Sequence, residues 1–431
     1  MQISQKTIGV VGLWHLGCVL CASWSKLGNR VIGFDYDLSR VKHLKKGILP
    51  LYEPGLSEAI KQGIKRKALF FSHDINSLAH SDFIFLSYDT PVRSDDSSDI
   101  RILMNAIKDL SNIIKDNAII VISSQLPVGS SSLLRSKLKR NRPSLELVYS
   151  PENLRLGEAI SCYMNPDRII LGAADKNAMT KVMKLFLQIT PNILTMNLES
   201  AEMVKHGINS FLATSIVFTN HIADICEITG ARIDDVIKGM KSDIRIGEKA
   251  YLSPGIGFSG GTLGRDLKAL DEINIKGKGF SKIFSITYKL NQERKKVIVN
   301  KIKKILGSIA GTSIGILGIT YKPGTSTLRR SLPLEIVGIL MRNKAKVKIF
   351  DPKADYSEIP YMSNCEISVD LESVSKNSDI LILLTEWPEF KDADWKKVAK
   401  NMKCALFFDT KNFLDEKTMV LRGFKYYSIG R

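Results

Sequence analysis

The chain has 431 residues, of which 44% are hydrophobic, and this length allows two or three packed domains because single cores stop growing at roughly 250–300 residues. Its apolar runs are too short for a membrane helix, and the early apolar segment, broken by Gly9, Gly12 and Gly17, does not have the pattern of a secretory signal. The net charge of +18 is spread along the chain without a nucleic-acid motif, which leaves a small phosphorylated ligand as a partner. We therefore expect a cytoplasmic protein that binds neither membrane nor nucleic acid.

The first half of the chain alternates short β-branched runs with helical stretches. This alternation predicts a parallel sheet wound with helices, with strands at 7–11, 30–34, 83–86 and 118–123. Open sheets of this kind bind ligands at the carboxyl ends of their strands, so the turns after these strands are candidate sites. The stretch 94–99 holds only Ser and Asp, and it predicts a surface loop.

A long helix is predicted over residues 199–229, where apolar residues recur at helical spacing. Such a helix suits a dimer surface or an internal core equally well. A second helix at 283–306 leads into another alternation, with strands at 313–321, 347–352, 380–384 and 405–408, a loop at 322–330 and a helix from Leu334. The predicted fold class is α/β, with two doubly wound parallel-sheet domains joined by a central helical region.

The first predicted strand runs into a turn that partly matches a dinucleotide fingerprint. That fingerprint needs one glycine for the tight turn, one for close approach to the pyrophosphate and one for helix packing. Gly12 and Gly17 supply the first and third, whereas Trp14 takes the second place and either shifts the pyrophosphate or turns away from it. Asp35 ends the next strand, where a carboxylate bonds ribose hydroxyls and repels the extra phosphate of NADP. NAD is therefore favoured, and an ordinary strand-to-helix turn is the alternative.

Six cysteines are scattered along the chain and suggest no disulfide framework. Cys18 and Cys21 make a C-x-x-C, but the second pair that a structural zinc site would show is missing from the sequence. We expect reduced thiols and no metal, with a redox or metal role of this pair as the less favoured alternative.

A series of motifs covers most of the chain. In order, they are EPGL at 53–56, TP at 90–91, LPVGS at 126–130, SPENLRLGEA at 150–159, NPDRIILG at 165–172, AEMVKHGINS at 201–210, SDIRIG at 242–247, PGIGFSGGTLGRD at 254–266 and ITYKPGTSTLRRS at 319–331. Together they resemble the UDP-glucose/GDP-mannose dehydrogenases, and the likeness runs through nearly the whole sequence.

The resemblance implies a homodimer with three regions in each chain. These are a Rossmann-like NAD-binding domain at 1–198, a central helical dimerisation region at 199–306 and a Rossmann-like domain for the UDP-sugar at 307–431, with the active site between the two sheet domains. In that family the C6 alcohol of the sugar is oxidised twice. A cysteine carries the intermediate as a thiohemiacetal and then as a thioester, which water releases as the acid.

Several polar residues in these motifs suit oxidation chemistry. Lys205 and Asn209 are four apart on the predicted helix, so both can donate to an oxygen that gains negative charge. Asp266 follows a glycine-rich turn and can hold a water or orient Lys205. Glu152 can place a water or the sugar. The competing interpretations are a solvated helix face for the lysine and asparagine and turn capping for Glu152.

By resemblance, further residues contact the two ligands. Cofactor contacts are expected from Gly12, His15, Leu16, Gly17, Asp35, Arg40, Thr90, Gln125 and Arg265. Substrate contacts are expected from Glu152, Leu154, Lys205, Asn209, Arg245, Tyr251, Gly257, Lys322 and Arg329. Of these, Lys322 and Arg329 would contact phosphates. An arginine suits that role because its planar guanidinium can bond two phosphate oxygens at once. Arg245 matches an arginine that reaches substrate across the dimer interface, and a surface salt bridge is its alternative.

The chain departs from the family pattern at the reaction centre. Thr262 takes the position of the nucleophilic cysteine, and its hydroxyl is a far weaker nucleophile than a thiolate unless a base activates it. Gln125 stands where the family has Thr, and Arg265 stands where it has Lys. Leu156 stands where the family has a Glu that acts as a base. Covalent capture of an aldehyde is therefore not expected.

Three hypotheses follow for the activity. The chain is an NAD-dependent oxidoreductase that acts on a nucleotide sugar, with UDP-glucose as first candidate, without a thioester. Alternatively, it is a conventional UDP-glucose 6-dehydrogenase in which Thr262 or water replaces the cysteine. A non-catalytic protein that binds nucleotide sugars is the third hypothesis, and the retained Lys205, Asn209, Asp266 and Asp35 argue against it.

Overall fold

The computed structural model describes residues 5–88, 99–151, 154–259, 261–359 and 365–431. The chain divides into two compact units, Met1–Gly207 and Ile208–Arg431. The boundary between them falls inside the long helix predicted from the sequence. The finer division into 1–198, 199–306 and 307–431 stays a prediction.

The described part of the first unit contains a sheet of eight strands. They are β1 (Thr7–Val11), β2 (Arg30–Phe34), β3 (Leu69–Ser72), β4 (Phe83–Leu86), β5 (Ile119–Ile122), β6 (Glu146–Tyr149), β7 (Ile169–Ala173) and β8 (Ile193–Met196). Their order is β3-β2-β1-β4-β5-β6-β7-β8, and the pairs are parallel except β6 with β7, which is antiparallel. The four strands predicted from the sequence are confirmed. β1, β2 and β4 have their predicted bounds, and β5 is shorter than its predicted range by one residue at each end.

Helices cover both faces of this sheet. They are α1 (His15–Lys26), α2 (Leu38–Lys45), α3 (Leu56–Lys65), α4 (Arg101–Ile113), α5 (Ser130–Asn141), α6 (Ala159–Met164) and α7 (Lys176–Phe186). Along β1, Ile8 and Val10 pack with α1, whereas Val11 packs with α4 and α5 on the opposite face. This alternation follows from the two-residue period of a strand, and it confirms the doubly wound arrangement.

Long helices follow the first sheet. They are α8 (Leu198–Thr229), α9 (Ile233–Ser242), α10 (Thr262–Lys276) and α11 (Ile283–Leu306). By length and composition alone α8 is apolar enough to cross a membrane, which the apolar runs of the sequence did not lead us to expect. Ala213 and Val217 of this helix pack with Phe258 and Leu267 in a small buried cluster, as expected of a helix in a folded core.

The described part of the second unit contains a six-stranded parallel sheet. The strands are β9 (Ser313–Leu317), β10 (Lys346–Phe350), β11 (Glu366–Ile367), β12 (Ile380–Leu383), β13 (Leu406–Asp409) and β14 (Lys425–Ser428), in the order β11-β10-β9-β12-β13-β14. Its helices are α12 (Leu332–Arg342), α13 (Leu371–Ser375), α14 (Trp395–Asn401) and α15 (Glu416–Leu421). The predicted helix from Leu334 begins two residues earlier, because the Ser331 side chain caps it by accepting from the Leu334 amide. This sheet confirms the second α/β region.

Candidate functional site

The turn after β1 needs both of its glycines. Gly12 has a φ of +93°, and a Cβ there would lie 2.8 Å from the ring of Tyr88. A Cβ on Gly17 would lie 2.0 Å from the Gly12 carbonyl oxygen, so α1 packs against the turn only because this position has no side chain. The structure therefore gives the turn the backbone that a dinucleotide fingerprint requires.

Trp14 replaces the middle glycine and immediately precedes α1. Its side chain is 37% exposed, and the guanidinium carbon of Arg40 lies 5.6 Å from its ring centre. The indole therefore turns outward and stacks on a cation. An outward indole favours the sequence-based alternative in which the Trp14 side chain turns away from the pyrophosphate, and that alternative stays a prediction.

Asp35 follows β2, and the structure buries it to 4% exposure beside the glycine turn. One carboxylate oxygen accepts from the Leu13 amide at 2.7 Å and from Arg40 Nη1 at 2.8 Å, and the other accepts from the Asp37 amide at 2.9 Å. A carboxylate offers about four lone-pair sites, so these three bonds leave acceptor capacity for a ribose hydroxyl. A tight turn with this carboxylate beside it fits NAD.

The other predicted cofactor residues of the first unit lie near the same strand ends. His15 and Leu16 form the first turn of α1, and His15 Nε2 lies 2.7 Å from Glu53 Oε2. Gln125 is half-buried in the segment after β5. Thr90 lies outside the described residues.

The predicted substrate segment at 150–159 is described only in part. Glu152 lies outside the described residues. Leu154 packs its side chain against the core on the α1 face of the sheet, and Leu156 is half-buried. Gly157 follows with a φ of +90°.

The polar residues of α8 and α10 are buried. Lys205 is 9% exposed and Asn209 is 6% exposed on α8, and Asp266 of α10 is fully buried. Asn209 Nδ2 donates to Asp266 Oδ2 at 2.5 Å. The solvated-face interpretation is wrong for Lys205 and Asn209, since a buried amide bonded to a buried carboxylate has a fixed orientation.

Thr262 is the first residue of α10 and is exposed to solvent. The side chain of Arg330 passes the preceding Gly261, where a Cβ would lie 3.5 Å from Arg330 Cδ and 3.6 Å from Nη1. Arg330 has a φ of +55°. The sequence reasoning missed this residue, although its place beside Arg329 in the matched motif is a signal that would have found it.

Three buried side chains hold the loop that precedes Thr262, and sequence reasoning missed them all. Asn220 Oδ1 accepts from the Gly255 amide at 2.7 Å, and Arg294 Nε donates to the Gly255 carbonyl at 3.0 Å. Asn291 bonds both the amide and the carbonyl of Phe258, at 2.8 and 3.0 Å. The only signal in the sequence is polar residues on the inner faces of α8 and α11.

Close packing explains the glycine inside this loop. Gly257 has a φ of +103°, and a Cβ there would lie 2.5 Å from Asn291 Oδ1. Any other residue would be strained at that φ and would displace the amide. The predicted substrate contact of Gly257 is thus limited to its backbone.

The remaining predicted substrate residues lie toward the surface. Arg245 pairs with Asp243 at 2.6 Å, its side chain is 85% exposed, and Tyr251 is 53% exposed. The structure therefore contains the surface ion pair that was the alternative for Arg245. Lys322 and Arg329 lie in the loop between β9 and α12, and the first is half-buried and the second exposed.

Arg265 and the paired cysteines are buried. Arg265 follows Gly264 on α10 and is 7% exposed. Cys18 and Cys21 are fully buried, and burial raises the pKa of the Cys18 thiol to about 12 and that of Cys21 well above its ordinary value, which favours the protonated thiols. Among the described residues, no group of three or more His, Cys, Asp or Glu side chains is placed to hold a metal ion.

Relatives of known name match the whole chain. It is 34% identical over 437 residues to UDP-glucose 6-dehydrogenase TuaD of Bacillus subtilis, covering 99% of this chain and 94% of that protein. It is also 34% identical over 435 residues to UDP-glucose 6-dehydrogenase of Rickettsia conorii, covering 98% and 99%.

Solved structures share the fold. A UDP-glucose dehydrogenase from Pyrobaculum islandicum superposes with a TM-score of 0.89 at 26% identity, covering 99% of this chain and 98% of that one. A UDP-D-ManNAc dehydrogenase from Pyrococcus horikoshii superposes with a TM-score of 0.86 at 23% identity over 99% of each chain, which shows the fold alone.

Family models divide the chain into three matched stretches. The NAD binding domain of the UDP-glucose/GDP-mannose dehydrogenase family matches residues 6–190, its central domain 199–293 and its UDP binding domain 315–416. These matches cover well over half of the chain, and they agree with the turn at Gly12 and the carboxylate of Asp35. The chain therefore belongs to the UDP-glucose/GDP-mannose dehydrogenase family and is an NAD-dependent nucleotide-sugar dehydrogenase.

Proposed function

We propose that this enzyme oxidises a UDP-sugar, with UDP-glucose as first candidate, and that it does so without a thioester intermediate. The buried pair of Asn209 and Asp266 beside the exposed Thr262 is the observation that carries the proposal. The names of the relatives from Bacillus subtilis and Rickettsia conorii support the choice of UDP-glucose.

The first oxidation needs donors for a developing alkoxide. Lys205 carries an ammonium and Asn209 an amide with one N–H left after its bond to Asp266. Both would donate to the substrate oxygen, and Asp266 would hold the amide in place and accept the hydroxyl proton through a water. Bound NAD supplies the hydride acceptor. The alcohol thus loses one proton and one hydride and becomes a carbonyl.

The second oxidation lacks its usual nucleophile. A threonine hydroxyl attacks a carbonyl only when a base removes its proton. Leu156 stands where the family has a glutamate that acts as a base. The product is therefore the aldehyde or ketone, or an acid formed from a bound aldehyde hydrate. Conventional acid formation through Thr262 or water is the second candidate, and binding without turnover is the third.

A homodimer is part of this proposal. Phe211, Phe218 and Ile225 are spaced by seven residues on α8 and are 69%, 48% and 53% exposed, which supports a homodimer through this helix. Arg245 would then reach the sugar of the other protomer. Light scattering should give twice the mass of 48.1 kDa for the wild type, and the Phe218→Glu variant should shift toward a monomer. Leu421→Glu, on a residue 85% exposed on α15, is the matched control and should stay dimeric.

The remaining assignments complete the proposal. NAD binding is assigned to 1–198, dimerisation to 199–306 and UDP-sugar binding to 307–431, in the cytoplasm. Thr90, Gln125 and Arg265 complete the cofactor site. The substrate site is completed by Glu152, Leu154, Tyr251, Gly257, Lys322 and Arg329.

Product stoichiometry tests the function directly. The purified protein is incubated with NAD and a panel of UDP-, GDP- and dTDP-sugars, and NADH formed is counted per product by absorbance and mass. One NADH and a carbonyl product are expected, or an acid that appears without any covalent enzyme adduct by mass spectrometry. A covalent adduct on Thr262 supports conventional acid formation, and nucleotide binding without NADH supports the non-catalytic hypothesis.

A thiol at residue 262 sharpens this test. Thr262→Cys should yield acid through a thioester that mass spectrometry of the trapped enzyme detects, because a thiolate attacks an aldehyde where a hydroxyl does not. Thr262→Ser is the matched control and should behave like the wild type. Equal adduct formation in both variants contradicts the proposed role of this position.

A further inference from the structure

The EPGL motif at residues 53–56 has no role in the proposed oxidation. Gly55 has a φ of +74° at the start of α3, a conformation that favours glycine, and Leu56 is 1% exposed in the core beneath it. Glu53 is 3% exposed, so its carboxylate points into the fold and away from solvent. A buried carboxylate needs several donors to stay ionised.

Two distant segments supply the donors of Glu53. Its Oε2 accepts from the Gly157 amide at 2.9 Å and lies 2.7 Å from His15 Nε2. Its Oε1 accepts from the Ala159 amide at 2.9 Å. One carboxylate therefore contacts both the start of α1 and the start of α6.

Each of these segments adjoins a proposed ligand site. His15 is the first residue of α1 and follows the glycine turn that fits NAD. Gly157 and Ala159 follow Leu154 and Leu156 in the motif that we propose contacts the sugar nucleotide. α6 receives no cap from the Glu158 side chain, so Glu53 provides the acceptor at its first amide.

The charge of Glu53 is part of this arrangement. Burial acts to raise the pKa of the Glu53 carboxyl, but the hydrogen bonds from His15 and from the Ala159 and Gly157 amides outweigh it, and the pKa lies below its ordinary value. A glutamine at residue 53 would keep the shape of the side chain but would replace one acceptor oxygen with an NH₂ group. That group would face the N–H donors that now bond the carboxylate.

A second buried carboxylate shows what is special about Glu53. Glu202 of α8 is fully buried and accepts from the Gly129 and Ser131 amides at 2.6 and 2.7 Å, which caps α5. Burial raises its pKa, and its hydrogen-bond partners belong to that one segment of the described chain. Glu53 makes the same kind of cap and in addition contacts a side chain of the cofactor turn.

We propose that Glu53 is a positioning residue that couples the NAD-binding turn to the 154–159 segment of the substrate site. It acts through His15 on one side and through two backbone amides on the other, and it contacts neither ligand itself. The substrate half of this role rests on the proposed function of the 154–159 segment.

The test uses full-length Glu53→Gln beside Glu58→Gln, an exposed glutamate of helix α3, which begins three residues after Glu53. Glu53→Gln should raise the Kd of NAD by about tenfold to a hundredfold, since a buried acceptor is lost. It should also speed hydrogen exchange in residues 13–17 and 154–160 together. The Kd of UDP should not change, because the UDP binding domain matches residues 315–416. Glu58→Gln should equal the wild type in all three measurements.

Two results with Glu53→Gln overturn the proposal. One is unchanged NAD affinity with unchanged exchange in both segments. The other is faster exchange confined to 154–160 with unchanged NAD affinity, which makes Glu53 only a cap for α6. If Glu53→Gln does not fold, His15→Ala removes the cofactor-side contact and leaves both amide bonds. That variant should still speed exchange in 154–160, and unchanged exchange there rejects the coupling.

The proposed function is judged separately. If the wild type oxidises no nucleotide sugar, the proposed activity fails, but NAD affinity and hydrogen exchange still decide the role of Glu53. If the wild type is active, Glu53→Gln should raise the KM for the sugar nucleotide by a larger factor than it lowers kcat, whereas general destabilisation would lower the amount of active enzyme alone.

Discussion

The first crossover of each sheet begins with the same backbone geometry. Gly12 after β1 and Gly318 after β9 have φ values of +93° and +81°. Their amides donate to the carbonyls of Phe34 and Phe350, at 3.0 and 2.8 Å. The next amide in each turn donates at 2.7 Å to the carboxylate that follows the neighbouring strand, Asp35 or Asp351.

The two crossovers differ in the segment between the glycine and the next helix. In the first unit α1 begins at His15, so the turn is short and presents backbone amides at a helix N-terminus, the kind of site that favours anions. In the second unit a long loop carries Lys322, Arg329 and Arg330 before α12 begins at Leu332. The same strand-and-glycine start therefore leads to backbone amides at a helix N-terminus in one sheet and to a loop with side-chain cations in the other.

The two carboxylates also differ in how many donors they receive. In the described part of the chain Asp35 accepts three hydrogen bonds. The carboxylate of Asp351 accepts from the Ile319 and Thr320 amides, the Thr320 hydroxyl, the indole of Trp387 and the amides of two residues just after it. Asp351 is thus saturated by donors of its own unit, whereas Asp35 can still accept from a ligand.

The largest expected effect is on stability. Asp351→Asn should lower the free energy of unfolding of the second unit by about 3 kcal/mol, because the amide end would face buried N–H donors. Urea unfolding followed by the fluorescence of the buried Trp387 and Trp395 measures it. Asp355→Asn, on an exposed aspartate, is the control, and equal unfolding midpoints for both variants would contradict the comparison.

The corresponding change in the first sheet should affect binding instead. Asp35→Ala should raise the Kd of NAD by about tenfold to a hundredfold and reduce the difference between the Kd values of NAD and NADP, since we propose that this carboxylate bonds the ribose of NAD and repels the extra phosphate of NADP. Calorimetric titration with both cofactors measures it. Asp37→Asn is the control, because Asp37 is an exposed partner of Arg40, and it should leave both Kd values unchanged. Unchanged preference for NAD in Asp35→Ala would show that both carboxylates are structural.

The cationic loop of the second sheet gives the next effect. Arg329→Gln should raise the Kd of UDP by about tenfold, the loss of one charge-assisted contact, and leave NAD affinity unchanged. Arg342→Gln, on an exposed arginine at the end of α12, should leave both values unchanged. An unchanged Kd for UDP in Arg329→Gln would contradict the proposal that the second sheet binds its ligand through side-chain cations and the first through backbone amides.

Trp14 should give the smallest effect. Trp14→Gly restores the middle glycine of the fingerprint and should lower the Kd of NAD by about threefold, because the backbone can approach the pyrophosphate more closely. Trp14→Phe keeps a ring for Arg40 and should resemble the wild type. Weaker NAD binding by the glycine variant would mean that the indole itself forms part of the site.

Local patterns predicted much of the fold. The ranges of β1, β2 and β4 and the full extent of α11 match their predictions, because apolar periodicity and buried runs are properties of neighbouring residues. The antiparallel pairing of β6 with β7 was not predicted, and neither was the edge strand β14. Direction and edge position depend on residues far apart in the chain, which the local pattern does not encode.

The candidate site was predicted less completely for the same reason. Residue types within motifs led to Lys205, Asn209 and Asp266, but the bond between the last two joins positions 57 residues apart. Asn291 lies 33 residues from the Phe258 that it holds, and its helical surroundings carry no sign of that contact. Side-chain pairing of this kind follows from packing, so the sequence alone did not indicate it.

The contacts of Glu53 also determine where the chain can be cut. Its backbone donors lie 104 and 106 residues further on, past the end of β6. An expression fragment that stops after β6 keeps the glutamate but loses both amides, and the stranded negative charge then favours opening of that part of the fragment. Truncated forms made to study cofactor binding in isolation should therefore run beyond α6. Two halves split between β6 and α6 should reassemble in trans more tightly with Glu53 than with glutamine there.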